Sequence, residues 1–339
     1  MPATYCGLDV SDKTTHLCVV DVDGKVIWRG VCATDPAALA ATLARRAPDL
    51  VRVVLETGPL SAYLYHGLIE RSVPAICVCA RHAKGVLGAR VDKSDPHDAE
   101  GLAQLARTGW YKAVHIKDNA THMDRAQLAV RQQLIKARLA MLGQLRGLLK
   151  LFGLRLGKVT TPGKRTERLE TLFEQKPELR PILTPLIEAL VALEKQIRLS
   201  SRALEARAAA DPVCRRLTSV PGVGPITAFQ FKSSVEDPAR FEHGEAVGAY
   251  AGLAPRRSQS GERDVKGRIS KAGDPRLRSA LYEAATVLLT RVKRPCALQT
   301  WGKALAAAKG GKRARVAVAR KLAILLHTLW RTDTDFKWA

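Results

Sequence analysis

The residues of this chain best suited to chemistry are four acids, Asp9, Glu56, Asp95 and Asp98, and a serine in the stretch APRRSQSGERD (Ala254–Asp264). Asp9 sits in YCGLDVSD with apolar residues before it and polar ones after, and Glu56 stands near the end of VRVVLET, before a Gly-Pro turn. Asp95 and Asp98 are three apart in KSDPHDAE, a spacing that puts both on one face of a helix start. Taken singly, each acid has an ordinary explanation, Asp95 as a helix cap before Pro96 and Glu56 as a solvated strand end. Together they are harder to dismiss. Four converging carboxylates do not all stay ionised unless cations neutralise them. Hard oxygen ligands suit Mg²⁺, with Mn²⁺ as a substitute, and such ions suit phosphodiester chemistry. Ser258 and Ser260 offer hydroxyls, but a serine is a weak nucleophile at its free pKa and needs a partner site elsewhere.

Hydropathy patterning sets out the elements that must position these groups. TYCGLDVS and THLCVVDVDGKVIWRGVC alternate as strands, and the Asp-Gly of VDVDGKV signals a hairpin. DPAALAATLARRA predicts a helix capped by Asp35 with Pro36 at its first position. VRVVLET and VPAICVCA predict strands, and GPLSAYLYHGLIER and DPHDAEGLAQLARTG predict helices. Three antiparallel strands followed by helix-linked strands make an α/β domain of the ribonuclease-H-like kind, with the acids at strand ends and a helix start.

Beyond residue 120 the apolar spacing turns helical. MDRAQLAVRQQLIKARLAMLGQLRGLLKLFG and PLIEALVALEKQIRLSSRALEARAAA read as two long helices separated by a break, LRLGKVTTPGKR. They suit either an antiparallel hairpin or a coiled-coil dimer. A third, mainly α segment opens with SVPGVGPITAFQF, whose Gly222 and Gly224 allow a tight turn with open backbone N–H groups, in the manner of a helix–hairpin–helix contact to DNA phosphates. Lys232 lies close by. The segment continues through the serine loop to two helices, PRLRSALYEAATVLLTRV and KRARVAVARKLAILLHTLW, and a terminal tail, RTDTDFKWA.

Charge divides the chain in the same way. The net charge is +23; residues 1–120 carry 14 Lys/Arg against 13 Asp/Glu, whereas residues 121–339 carry 41 against 19. A neutral first third and a polycationic remainder fit one part doing chemistry and another gripping a polyanion. Arg256, Arg257, Arg263, Lys266, Arg268, Lys271, Arg276 and Arg278 place eight cations in 23 residues around the serines. That density points to nucleic acid, whose phosphates supply most of the affinity. Seven scattered cysteines with no CxxC pair argue for reduced thiols rather than a zinc ribbon or a disulfide framework. No apolar run is long enough for a membrane span and no signal peptide is evident, so a soluble, cytoplasmic protein is expected. GLDVSDKTTHLCVVD has the outline of an ATPase phosphate loop, but such a loop needs glycine after its aspartate, and Val10, Ser11 and Asp12 follow Asp9.

Taken in order, GLDVSDKT, LETG, KSDPHDAEGLAQL, PGVGPITA, AYAGLAPRRSQSGERDVKGRISKAGDPRLRSALYEAA and ARKLAILLHTLW resemble the DEDD class of bacterial insertion-sequence transposases over nearly the whole chain. The resemblance implies a Holliday-junction-resolvase-like domain (1–118) whose Asp9, Glu56, Asp95 and Asp98 hold Mg²⁺. It also implies a helical linker and oligomerisation segment (119–210) and a transposase domain (211–339) with a nucleophilic serine. Relatives of this kind resemble recombinases guided by a structured bridge RNA that pairs with donor and target DNA. The family pattern has two serines before the loop glycine; here Gln259 takes the first place and Ser260 the second, before Gly261, with Glu262 in place of a second glycine. Ser260 is thus the implied nucleophile, ahead of Ser258. About 160 residues separate Asp98 from Ser260, so a site completed between subunits of a homodimer or a dimer of dimers is expected, in a bacterial, nucleoid-associated protein. The alternatives are a metal-dependent Holliday-junction-type endonuclease and an architectural nucleic-acid-binding protein.

Overall fold

A computed structural model describes residues 2–87, 95–159, 161–261 and 263–338 of the chain. The chain divides into two compact units, Met1–Asp118 and Asn119–Ala339.

The first unit begins with three consecutive strands, β1 (Thr4–Val10), β2 (Thr14–Val20) and β3 (Val26–Ala33). Asp21 Oδ1 shapes the second turn by accepting the N–H groups of Asp23 and Lys25 at 3.0 and 2.8 Å. Helix α1 (Pro36–Arg46) starts as its sequence requires, with the Asp35 carboxylate accepting the Ala38 N–H and proline in the first turn. Then follow β4 (Leu50–Glu56), α2 (Ser61–Ile69), β5 (Ala75–Val78), α3 (Ala80–Leu87) and α4 (Asp95–Thr108). The sheet order is β3-β2-β1-β4-β5. β1 pairs antiparallel with β2 and parallel with β4, and β4 pairs parallel with β5. This is the ribonuclease-H-like arrangement.

Strand alternation gives the sheet two covered faces. Cys6, Leu8, Val53 and Leu55 pack with Leu39, Leu43, Leu64 and Leu68 of α1 and α2. On the opposite face, Cys18 and Val20 meet Ala99 and Ala103 of α4, while Val54 and Val78 meet Leu102 and Leu105. The seven cysteines are free, and five of them are buried.

In the second unit, α5 (Asn119–Leu151) and α7 (Leu179–Ala210) lie antiparallel within one chain. Their order is fixed by the Asp124–Arg207 ion pair at one end and a 2.8 Å bond from Arg131 Nε to Ser201 Oγ further along. At the other end Leu145 and Leu149 share a core with Leu183 and Leu190. Two expectations need correction here. The break between the long helices holds a further helix, α6 (Pro162–Gln175), capped by Thr161; its Leu169, Leu172 and Phe173 are buried in the same core. The second long helix starts at Leu179 and runs through Pro185 rather than beginning there. The hydrogen bond that proline forgoes is offset by burying Leu179 and Leu183.

Next come α8 (Pro212–Thr218), α9 (Pro225–Val235), a 3₁₀ turn at Pro238–Arg240, and α10 (Gly244–Tyr250). They are followed by β6 (Pro255–Ser260), β7 (Arg263–Ile269), α11 (Pro275–Thr290), α12 (Ala297–Lys309) and α13 (Gly311–Thr332). The stretch expected as a serine loop is therefore an antiparallel β-hairpin. Its polar residues, all exposed in β6, lack the apolar alternation that reveals a half-buried strand. The terminal residues also differ from a free tail. Asp333 pairs with Arg216 at 2.7 Å, the Phe336 N–H donates to Ser219 Oγ at 3.0 Å, and Phe336 packs on the core. Among the described residues no helix is long and apolar enough to cross a membrane.

Candidate functional site

In the first unit the acids gather at one edge of the sheet. Leu8 is in register with Leu55 on the parallel strands β1 and β4, so Asp9 and Glu56 follow side by side at their carboxyl ends, where open α/β sheets bind ligands. Alternation sends both side chains to the face covered by α4, whose first turn carries Asp95 and Asp98. A Cβ on Gly7 would lie 2.1 Å from the Ala99 carbonyl oxygen and 2.3 Å from Ala103 N. Only glycine lets α4 settle this close to β1, and that approach brings its acidic first turn towards Asp9. The helix is held from its far side as well. Glu100 pairs with Arg29 of β3, Gln104 Nε2 donates to Gly24 O at 2.7 Å and Arg107 Nη1 to Val22 O at 3.2 Å.

A fifth group stands in this edge. His16 is directly opposite Asp9 in the β1–β2 register, and its Nε2 lies 3.7 Å from Asp95 Oδ2. No motif spacing singles it out; only counting back from the Ser11–Thr14 turn pairs residue 9 with residue 16. The donor set of four carboxylates is chemically right for a hard divalent cation. Among the described residues, however, no three Asp, Glu, His or Cys side chains are drawn close enough to hold a metal ion. The fold brings the four acids to one edge and pairs Asp95 with His16, without closing them into a cage.

In the second unit Ser260 is the last residue of β6, opposite Arg263 of β7, and exposed at the hairpin tip. Gly261, with φ +55°, begins the turn. Ser258 lies opposite Val265, two residues back on the same face as Ser260, whereas Gln259 faces the other way. Arg257 clamps the register by a bidentate pair to Asp264 at 2.8 and 2.9 Å. The base of the hairpin is tied more firmly. Arg278 Nη1 donates to Ala251 O at 3.0 Å and Lys271 O at 3.4 Å. Asp274 accepts the N–H groups of Arg276 and Leu277, Arg125 Nη1 at 2.9 Å and Ser234 Oγ at 3.1 Å. Burial works against ionisation of Asp274, but the Arg125 charge and these hydrogen bonds outweigh it and hold the carboxyl below the usual aspartate range. The result is an anchored base carrying an exposed tip.

The other cationic candidates have varied surroundings. Gly222, at φ +87°, closes the turn between α8 and α9; a Cβ there would come within 2.7 Å of Ala284 O on α11, so it serves packing. Gly224 caps α9 with open space around it. Lys232 is engaged in an ion pair with Asp211, the cap of α8. Arg256 Nη2 donates to Ser270 O at 3.3 Å, and Arg276 is exposed in the first turn of α11. Arg268 and Lys271 line a groove with α12 and α13. The side chains of Arg263 and Lys266 lie outside the described residues.

Comparison with known proteins finds two transposase models in order along the chain. Residues 6–153 match a model of DEDD transposases of the IS110 type, and residues 214–301 match the transposase IS116/IS110/IS902 family. The chain is 30% identical over 339 residues to the transposase for insertion sequence element IS1111A of Coxiella burnetii, covering 98% of this chain and 90% of that one. It is 29% identical over 205 residues to the transposase for insertion sequence element IS1328 of Yersinia enterocolitica, covering 60% of each. Thermus thermophilus RuvC, solved in complex with Holliday junction substrate, aligns with 33% of this chain and 99% of its own at 18% identity and a TM-score of 0.26, too low to add to the strand order itself. With a relative matched almost end to end and two transposase models in tandem, the chain belongs to the IS116/IS110/IS902 family of transposases.

Proposed function

We propose that this transposase is a site-specific DNA recombinase in which Ser260 is the nucleophile and the carboxylates of Asp9, Glu56, Asp95 and Asp98, gathered at one edge but not closed into a cage, are the groups that would hold Mg²⁺ once substrate is bound. The observation that carries the reading is the hairpin: a hydroxyl exposed at the tip of a cationic β-hairpin whose base is fixed to the α-helical core. Ser260 Oγ attacks a scissile phosphorus, an Oγ–P bond forms, and the bond from phosphorus to the leaving sugar oxygen breaks. The serine proton is passed on to that oxygen. The phosphoserine link conserves the bond energy, so the hydroxyl of a different strand can reverse the step and complete an exchange. When bound, Mg²⁺ supplies charge to the phosphoryl oxygens and favours the ionised hydroxyl. Hairpin arginines neutralise the charge that develops on phosphorus.

Partners follow from the charge of the second unit. Residues 121–339 carry a net +22, which suits donor and target DNA together with a structured guide RNA that pairs with both. A homodimer or dimer of dimers completes the site, residues 1–118 supplying carboxylates, 119–210 linking subunits and 211–339 supplying the serine.

The test is trapping of a protein–DNA adduct on a cleavage-competent substrate. Wild-type protein and Ser258→Ala are expected to form it and Ser260→Ala to lose it, with DNA binding retained. An adduct of normal yield in Ser260→Ala overturns the serine. The carboxylate edge on a ribonuclease-H-like sheet favours a second reading, a metal-dependent junction endonuclease, in which wild-type protein cuts DNA by hydrolysis and leaves no adduct.

A further inference from the structure

The second unit contains a groove of about 1300 Å³ beside the base of the serine hairpin, walled by β6, β7, α10, α12 and α13. Its volume lies above the roughly 300–1,000 Å³ of small-molecule pockets, which leaves room for an extended occupant. Its cations are Arg268, Lys271, Lys312, Arg313, Arg320 and Lys321; Glu245 is the single acid among the lining residues. Its floor is apolar, formed by Leu253, Ile269, Val316 and Ile324. Trp301, 37% exposed, stands at its side with Lys321 Nζ 4.2 Å above the ring. Arg320 also lines this wall, its Nε buried without a hydrogen-bond partner among the described residues.

Cations around an apolar floor make a surface of mixed demands. A duplex turns phosphates outward and stacks its bases inward, so it satisfies the cations and leaves the floor wet. A single strand offers both phosphates and exposed base faces, and base stacking on an aromatic ring contributes to its affinity. The groove shares Pro255, Gly267, Arg268 and Ile269 with the hairpin that ends in Ser260. From Pro255 to Ser260 the strand spans about 16 Å at roughly 3.3 Å per residue, a few nucleotides of chain. We infer that this groove holds unpaired nucleotides of the DNA strand flanking the scissile phosphate, with bases against Trp301 and the apolar floor and phosphates on Arg313, Arg320 and Lys312. The strand leaves duplex form before Ser260 reaches its phosphorus. This inference rests on the assignment of Ser260 as nucleophile for the identity of the strand, though not for binding itself.

The experiment measures equilibrium binding by the full-length protein of a fluorescent single-stranded oligodeoxynucleotide, the matching duplex, and an RNA of the same sequence. All proteins carry Ser260→Ala, so that chemistry plays no part. Lys312→Ala/Arg313→Ala, both exposed, should weaken single-strand binding about tenfold or more and flatten its log K versus log salt slope by about 1.4, the value for two lost phosphate contacts. Trp301→Leu should weaken it at least about fivefold with little change in that slope. Duplex binding should change less than threefold in either variant. A 4-thiothymidine strand should photo-crosslink to the peptide that contains Trp301. Equal losses for duplex and single strand, a loss confined to RNA, or no loss with no crosslink overturns the inference. Failure of Ser260→Ala to abolish the adduct instead overturns the nucleophile and leaves these binding results standing.

Discussion

His16 Nε2 lies 3.7 Å from Oδ2 of Asp95, joining the middle of the sheet to the first turn of α4 at the acidic edge. The same histidine stands opposite Asp9. If the acidic edge holds a metal as proposed, His16 is an outer partner of Asp95, and such partners typically contribute 10- to 100-fold in affinity or activity. His16→Ala is expected to lower apparent Mn²⁺ affinity and DNA cleavage within about that range, with unchanged circular dichroism. His16→Gln should recover part of the loss, because a polar amide of similar length stays within reach of Asp95. Wild-type Mn²⁺ affinity and cleavage in His16→Ala would reduce the ring to packing.

Gly7 permits the approach of α4 to β1. A methyl group there would overlap Ala99 O and Ala103 N, and the obstacle is backbone, which cannot swing aside. Gly7→Ala should cost at least about 1–3 kcal/mol, as overpacking does, and cleavage should fall further than stability does as the acidic turn is displaced. Urea unfolding and cleavage rates on the same preparation check this; stability within about 0.5 kcal/mol of wild type rules the overlap out.

Arg165 and Glu194 form a bidentate pair, with both bonds at 2.7 Å, inside the helical part of the second unit. Their side chains are 5% and 10% exposed. The hydrogen bonds from Arg165 hold the Glu194 carboxyl below the usual glutamate range. Removing one partner strands a buried charge, so Arg165→Met should cost about 3–5 kcal/mol. Arg165→Met/Glu194→Leu should recover most of that loss, because an apolar pair no longer has to be desolvated as ions. Thermal and urea unfolding of the three proteins measure it; a double variant as unstable as the single would contradict this account.

Asp274 fixes the base of the serine hairpin and links it to α5 through Arg125. Its carboxyl is depressed in the folded state, so its contribution to stability is complete above the unfolded value of about 3.9 and is lost as pH falls through the lower folded value. Asp274→Asn should therefore be destabilised most at neutral pH, and its deficit should shrink below about pH 4. Tm measured from about pH 7 to about pH 2 tests the sign; a deficit that grows towards acid reverses it.

Much of the first unit was legible in the sequence because its signals are local. The Asp35 cap, the Asp-Gly turn and strands with β-branched runs each depend on neighbours a few residues away, and they also placed Asp9, Glu56, Asp95 and Asp98 at element ends. The two long helices were legible from apolar spacing alone. The helix α6 was missed because its few buried leucines sit within an Arg- and Glu-rich stretch, and the serine hairpin because both strands are polar.

What the sequence by itself determined is the inventory: which carboxylates and hydroxyls the chain offers, and which part of it is polycationic. What only the tertiary structure decided is their company. Strand register set His16 against Asp9, a helix resting on Gly7 carried Asp95 to His16, and Arg125 reached Asp274 across 149 positions of sequence. The groove below the hairpin draws its walls from five separate elements. Such relations come from packing between distant segments, where close contact and burial, rather than the order of residues along the chain, determine which groups meet.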